Sequence, residues 1–449
     1  MESVLEKNKK LHSSLSGAAG LYQRRKKLIP NGLGIFNPSS VQYANGATMI
    51  DADGKELIDF AGGIGVLNAG HCPPPVVKAI QEQAERLIHS SFNVALYEEY
   101  FDLAEKMIEL LPHGDATKVM FLNSGAEAVE NAIKIARQAT KRSAIIAYGG
   151  GFHGRTMMGM TLTSKVTYKA GCGPFAPEVY RINFPAYRTK EETISEEQFS
   201  ENEIQKLKEF FKTNVRAEEV AAIIIELVQG EGGFYVAPKS YIKKLRKLCS
   251  ETGIMLIFDE VQSGFGRTGK WAAYEHYDTI PDISTWAKSM GSGMPIAAVM
   301  GKAHIMDSAA PSTIGGTYAG NPVCCAASLA TLKYMEEIDI NSLGEKVGKS
   351  VRARFEHFQQ KFPQVIGEVR GLGAMLAFEL VKDGNHKKPN AELTSKIINT
   401  CAERGLVVIS AGVHGNVIRI LSPLVIEEAL LNKGLDILES VIEGYAPNP

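Results

Sequence analysis

Between about residue 115 and residue 290, short unbroken apolar runs alternate with longer segments whose apolar residues recur at helical spacing. TKVMFLNSG leads into AEAVENAIKIARQATK, in which Val129, Ala132, Ile133 and Ala136 fall on one helical face. SAIIAYGG and AAIIIELVQG (221–230) follow as further apolar runs. PKSYIKKLRKLCSETG then aligns Ile242, Leu245, Leu248 and Cys249 on one stripe, ends at Gly253, and leads into IMLIFDEV (254–261). A strand with no polar side must be covered on both faces, and amphipathic helices between such strands supply the cover. The pattern predicts an α/β core built on a parallel sheet.

Flanking segments read differently. ATMIDADGKELIDF (47–60) alternates apolar and polar residues around Asp53-Gly54, a two-residue hairpin signal. Residues 1–30 read as an arm or surface helix ending near Pro30. IGEVRGLGAMLAFELV (366–381) reads as paired strands between helices near 341–362 and 391–404. LVVISAG and NVIRILSPLVI add strands, and a last helix covers 427–445. At roughly 150 residues per domain, 449 residues suggest two or three domains. The expected division is an arm and hairpin over 1–70 that belongs with the small domain, a large domain over 71–330, and an α+β small domain over 331–449.

Charge and thiol content narrow the function. Lys+Arg 49 against Asp+Glu 50 leaves a formal charge of −1, with no basic excess to neutralise a nucleic-acid backbone. Six cysteines, at 72, 172, 249, 324, 325 and 401, show no metal-ligand spacing and suit a reducing compartment. No apolar run is long enough to span a membrane, and MESVLEKNKKLHSSL lacks the apolar stretch of a signal peptide. The expectation is a cytoplasmic protein without nucleic-acid, membrane or metal partners.

Ligands of open α/β sheets sit at the carboxyl ends of the strands, so the polar residues closing each apolar run are the candidates. Asn123-Ser124-Gly125 stands where a strand passes into a helix, and reads either as an anion cradle or as ordinary punctuation. Asp259 and Glu260 close IMLIF and need a cationic partner, a helix cap or a buried ion pair. Lys288 follows an apolar run and precedes a glycine-rich turn. It reads either as a surface lysine or as an amine whose pKa is lowered by desolvation, as carbonyl chemistry requires. GGGFHG (149–154) and GFGRTG (264–269) fit the dinucleotide-binding pattern G-x-G-x-x-G. Neither has the helix directly after it and the acid ~20 residues on that such a site needs, and both read as loops.

FLNSGAEAVENAIKIAR, GFHGRT, IIIELVQGEGG, LIFDEVQSGFGRTG, WAKSMGSGMP and GGTYAGNP together resemble, in order, the motifs of class III aminotransferases. The resemblance extends from about residue 28 to 440. It implies the aspartate-aminotransferase type (fold type I) of pyridoxal 5′-phosphate (PLP) fold, with a homodimer or a further assembly of dimers sharing active sites. It also implies roles. Lys288 matches the lysine that bonds to the cofactor and then carries a proton, and Asp259 matches the carboxylate facing the pyridine nitrogen. Gly125 and Ala126 match the phosphate cradle, and Thr317 a phosphate contact made from the second subunit. Phe152 matches the aromatic stacked on the ring, His153 its support, and Gln262 a neighbour of the phenolic oxygen.

For substrate, the resemblance points to ω-amino acids, 4-aminobutyrate first, with 2-oxoglutarate as acceptor. Such an enzyme must hold a far carboxylate always and a near one only in the glutamate half-reaction. Arg155 matches the clamp for the far carboxylate, Arg419 the arginine for the near one, and Glu231 the residue that masks it. Ile64 and Glu226 match residues lining the channel. Leu227 departs from the family, where proline is common, and puts the backbone beside Glu226 in doubt. Alternatives are a 5-aminovalerate or other ω-amine aminotransferase, an amino-acid epimerase or, in another class, an NAD-dependent dehydrogenase using a glycine loop.

Overall fold

The computed structural model describes residues 17–114, 116–188 and 192–446. The amino-terminal segment considered above for targeting lies outside these, as does the first half of the expected arm. Its second half is the helix Gly17–Leu28, two residues short of Pro30.

Seven strands form the central sheet: β4 (Thr117–Leu122), β5 (Ala144–Tyr148), β6 (Val179–Ile182), β7 (Val220–Ile225), β8 (Met255–Asp259), β9 (Ile283–Trp286) and β10 (Ala297–Lys302), in the order β4-β10-β9-β8-β7-β5-β6. The continuous apolar runs have the origin expected of them. Ile145, Ala222, Ile224 and Ile257 pack on one side, against Val129, Ala132, Ile133 and Ala136 of the helix Gly125–Thr140. Their neighbours Ile146, Ile223, Ile225, Leu256 and Phe258 pack on the other, with Ile242, Leu245, Leu248 and Cys249 of the helix Lys239–Thr252. Each strand residue is thus covered whichever way it points. Gly253 ends the second helix in a left-handed conformation at φ 69°.

The sheet is not wholly parallel. β10 runs antiparallel to both of its neighbours, β4 and β9. The other six strands share one direction, so β4, β5, β7, β8 and β9 deliver their carboxyl ends to one edge of the sheet.

The expected hairpin forms between β2 (Thr48–Ile50) and β3 (Glu56–Asp59), with a longer turn than two residues. Asp51 spans the loop by accepting the N–H groups of Asp53 and Lys55 at 2.8 Å, which widens the connection beyond Asp53-Gly54. β1 (Tyr43–Asn45) extends this ribbon, and β14 (Leu406–Val407) joins it in parallel against β3. The amino-terminal hairpin and the carboxyl-terminal region therefore share a sheet. β11 (Ile366–Leu372), β12 (Met375–Lys382), β15 (Ile409–Ala411) and β16 (Val417–Ile420) form a third sheet, with β13 (Asn385–Pro389) paired to β12. Of NVIRILSPLVI only 417–420 is strand. The helices Ile340–Lys361, Ala391–Glu403 and Glu428–Tyr445 lie within a residue of their expected bounds.

Candidate active site

The carboxyl ends of the parallel strands open into a cavity of about 450 Å³. Gly125, Ala126, Phe152, His153, Arg155, Glu226, Glu231, Asp259, Gln262 and Lys288 all line it. Residues as far apart in the chain as Gly125 and Lys288 are gathered because each follows a strand of one sheet.

After β4, Ser124 caps the helix Gly125–Thr140, its hydroxyl accepting the Glu127 N–H at 3.3 Å, while the Glu127 carboxylate reaches back to the Asn123 N–H at 2.7 Å. The helix thus begins at the cavity wall, where its N–H groups and dipole favour an anion. Gly125 is required by crowding, since a Cβ would stand 2.9 Å from Val261 Cγ1. Gly154 is required twice over: its φ is +118°, and a Cβ would meet the Ala126 Cβ at 2.6 Å.

Asp259 ends β8 and pairs in register with Thr285 of β9, three residues before Lys288. The spacing of the acid and the lysine thus corresponds to two adjacent strand ends. Asp259 accepts the Thr285 hydroxyl at 3.1 Å and the Val261 N–H at 3.2 Å on one oxygen, and faces His153 Nδ1 at 2.7 Å with the other. Its partner is therefore histidine. Burial would lower the His153 pKa, but the bond to Asp259 outweighs it and raises the net value. Glu260 turns the other way. It accepts the Ser263 hydroxyl and the N–H groups of Ala273 and Tyr274, and burial pushes its pKa to about 7. It is a structural cap.

Lys288 sits in a left-handed conformation, φ 52°, two residues beyond the end of β9. Desolvation lowers its pKa to about 8, with Glu231 opposing the drop and Arg419 adding to it. A neutral amine is accordingly available near neutral pH. Glu226 is buried and accepts the Phe152 N–H at 2.9 Å and the Gly230 N–H at 3.0 Å, so the Leu227 departure leaves both of its oxygens anchored. Burial raises its pKa to about 7, with His153 opposing that rise.

Glu231 Oε1 lies 2.6 Å from Arg419 Nη2 in an ion pair not aligned as a hydrogen bond, which leaves guanidinium protons unmatched although Arg419 is fully buried. The other oxygen, Oε2, accepts the Tyr168 hydroxyl at 2.8 Å. Burial would raise the Glu231 pKa, yet Arg419 and then Tyr168 bring it below its ordinary value. Arg155 is exposed at the mouth of the cavity, its guanidinium 5.9 Å from the Phe152 ring centre and 5.4 Å from that of Tyr168.

Two expected positions do not join the cavity. Ile64, expected along the channel, is half-buried in a turn where Gly62, Gly63, Ile64 and Gly65 all have positive φ, and Val66 lines the cavity instead. Thr317 is exposed in a loop and does not line the cavity of its own chain.

GGGFHG brings Phe152 and His153 to the cavity wall, whereas GFGRTG has a structural role. Contrary to expectation, a short helix, Met157–Leu162, follows GGGFHG, but its first free N–H groups are taken by Glu130, which accepts from Met158 at 2.9 Å. In GFGRTG, Arg267 is fully buried and donates to Asn68 Oδ1 at 3.1 Å and to the Ser422 carbonyl at 2.9 Å, joining three distant segments.

Two residues of the site carry no short sequence signal. Thr285 is one β-branched residue within a strand, and Tyr168 lies thirteen residues beyond Arg155 in a 3₁₀ turn. Only their contacts reveal them.

The residues fit PLP on the structure's own terms. A helix N-terminus shaped by Gly125 offers donors for a phosphate, a buried carboxylate–imidazole pair faces the cavity, and His153 Nε2 and Gln262 Oε1 are buried with no partner among the described residues. Among those residues no group of His, Cys, Asp or Glu is placed to hold a metal ion.

An α/β sheet presenting a desolvated lysine and a buried carboxylate at adjacent strand ends is the arrangement a PLP-dependent enzyme needs. The family model "Aminotransferase class-III" matches residues 35–442, and the chain belongs to that family. It is 46% identical over 419 residues to a probable 4-aminobutyrate aminotransferase of Bacillus subtilis, covering 93% of this chain and 96% of that protein. It is 47% identical over 420 residues to a 5-aminovalerate aminotransferase of Pseudomonas putida, covering 93% and 97%. Among solved structures it resembles taurine:2-oxoglutarate aminotransferase from Bifidobacterium kashiwanohense in complex with PLP and glutamate, with a TM-score of 0.87 and 26% identity over 94% of this chain and 96% of that one. The fold is accordingly the type I PLP-transferase fold expected from the motifs.

Proposed function

We propose that this aminotransferase uses PLP to transfer the amino group of 4-aminobutyrate to 2-oxoglutarate, giving succinate semialdehyde and L-glutamate in two alternating half-reactions. The observation that carries the substrate reading is the buried Glu231–Arg419 ion pair beside the cavity, with Arg155 free of any ion pair among the described residues at its mouth. A 4-aminobutyrate molecule has only one carboxylate, which suits Arg155, and Glu231 then neutralises Arg419. Glutamate carries a second carboxylate next to the reacting carbon, which suits Arg419 once Glu231 has turned away. An epimerase would have no use for an arginine masked in this way.

PLP, when bound, supplies the electron sink that stabilises the carbanion at the amine-bearing carbon. Asp259, oriented by Thr285 and paired with His153, holds a fixed negative charge at the floor of the cavity, where it would keep a pyridine nitrogen protonated. Lys288 Nζ, its pKa lowered to about 8 so that roughly a tenth of molecules carry the neutral amine at pH 7, would hold the cofactor through its carbonyl carbon and, once released, would take the proton from the amine-bearing carbon. Gly125 and Ala126 offer backbone donors for the phosphate, Phe152 a ring face, and Gln262 an amide.

The reading extends to a homodimer in which Thr317 serves the partner's cavity, and to the cytoplasm. Ile88, Val94, Leu96 and Tyr318 are large apolar residues left more than 60% exposed in this chain, and Tyr318 adjoins Thr317. All six cysteines are unpaired, which suits a reducing compartment. No helix among the described residues is long and apolar enough to cross a membrane.

Single-turnover absorbance with 4-aminobutyrate, 5-aminovalerate, ornithine and an uncharged ω-amine as donors tests the proposal. The highest kcat/KM is expected for 4-aminobutyrate, with 2-oxoglutarate completing the cycle. A preference for 5-aminovalerate would transfer the assignment to the longer substrate.

A further inference from the structure

We propose that Tyr168 is the latch of the Glu231–Arg419 gate: a positioning residue that holds Glu231 over Arg419 and so sets the cost of admitting a second carboxylate. The inference rests on the masked-arginine reading above and adds a residue to it.

Glu231 is held on both oxygens, Oε1 by Arg419 Nη2 and Oε2 by the Tyr168 hydroxyl. Moving it aside therefore breaks a charge-assisted hydrogen bond as well as an ion pair. The tyrosine is fixed from several directions. Its 3₁₀ turn, Val166–Tyr168, is preceded by Ser164, whose N–H donates to the Gly151 carbonyl at 2.8 Å. Lys169 Nζ donates to the Thr163 carbonyl at 2.9 Å, and Lys165 Nζ to the Gly412 carbonyl at 3.1 Å. Gly412 in turn donates its N–H to the Glu231 carbonyl at 2.9 Å, so the latch and the backbone of the gate share one anchor.

The Tyr168 ring stands edge-on to Phe152, 5.2 Å between centres at 76°, beneath the Arg155 guanidinium. One side chain thus touches the arginine assigned to the far carboxylate and, through Glu231, the arginine assigned to the near one. Burial and the adjacent Glu231 raise the phenol's pKa, so the hydroxyl remains a donor at every working pH.

The test is calorimetric binding of two substrate-like acids to the holoenzyme: glutarate, which needs both arginines, and butanoate, which needs one. Tyr168→Phe keeps the ring and removes the hydroxyl. The closed gate loses a hydrogen bond that the open gate does not have, so glutarate binds about three- to tenfold more tightly while butanoate stays within about twofold. Kinetically, KM for 2-oxoglutarate falls by a similar factor. Unchanged glutarate affinity, or equal weakening of both acids, would overturn the latch. Glu231→Gln, measured in parallel, separates the two ideas. If it tightens glutarate and Tyr168→Phe does not, only the latch fails. If it leaves glutarate unchanged, the masked-arginine reading fails and the latch goes with it.

Discussion

His153 Nδ1 stands 2.7 Å from Asp259 Oδ2, and both side chains are all but removed from solvent. The imidazole is held by the carboxylate against the desolvation that would otherwise lower its pKa. Replacing Asp259 with Asn removes the anion while keeping the shape. The imidazole pKa of His153 should then fall, as read by NMR titration, and turnover should drop by about 10² to 10⁴. An unmoved His153 titration would show that the pair is not electrostatically linked.

Lys288 should react as an amine of pKa about 8. A lowered pKa means the neutral form gains as pH rises through about 8, well before the 10.5 of a solvent lysine. In the cofactor-free protein, the rate of covalent capture of Lys288 by PLP should rise to a plateau above about pH 9. Borohydride trapping and peptide mapping would measure it, and a rate still climbing at about pH 10 would contradict the desolvated environment. Lys288→Ala should abolish turnover and the trapped adduct together.

Arg155 is exposed over two aromatic rings, ready to form a bidentate contact. Arg155→Ala should reduce kcat/KM for 4-aminobutyrate by about 10- to 100-fold, the value of a charge-assisted hydrogen-bonded pair, and barely affect an uncharged ω-amine. Equal losses on both donors would remove the clamp role.

His113 offers a stability test remote from the chemistry. It is fully buried, with Nδ1 2.9 Å from the Leu111 carbonyl and Nε2 2.8 Å from the Ser284 hydroxyl, and burial lowers its pKa to about 4 from 6.5. Between those values the unfolded chain binds the proton and the folded chain does not. Stability should therefore fall as pH drops from about 6.5 to 4, by up to roughly 3 kcal/mol. His113→Gln should flatten that slope in denaturant unfolding at about pH 5 against about pH 7. A slope identical to the parent's would assign the acid sensitivity to other groups.

Much of the scaffold was legible in the sequence because it depends on local periodicity. Strands buried on both faces must be apolar at every position, and the helices packed on them must be apolar along one stripe. Ala222, Ile223, Ile224 and Ile225 run together for the first reason, and Ile242, Leu245 and Leu248 follow at helical spacing for the second. The antiparallel direction of β10 was not legible, since AAVMGK reads the same either way. Nor was the wider loop at Asp53-Gly54, which depends on how the Asp51 side chain turns back on the backbone.

By itself, the sequence determined the α/β alternation, the family motifs and the strand ends on which Lys288 and Asp259 stand, because these are short-range patterns fixed by burial and by residue type. Tertiary structure alone decided that Asp259 meets His153, that Tyr168 meets Glu231, that Ile64 leaves the cavity wall to Val66, and that Arg267 joins segments some 150 residues apart. Those contacts arise from packing between elements distant along the chain, where the partner of a polar group is chosen by proximity after folding and leaves no periodicity behind.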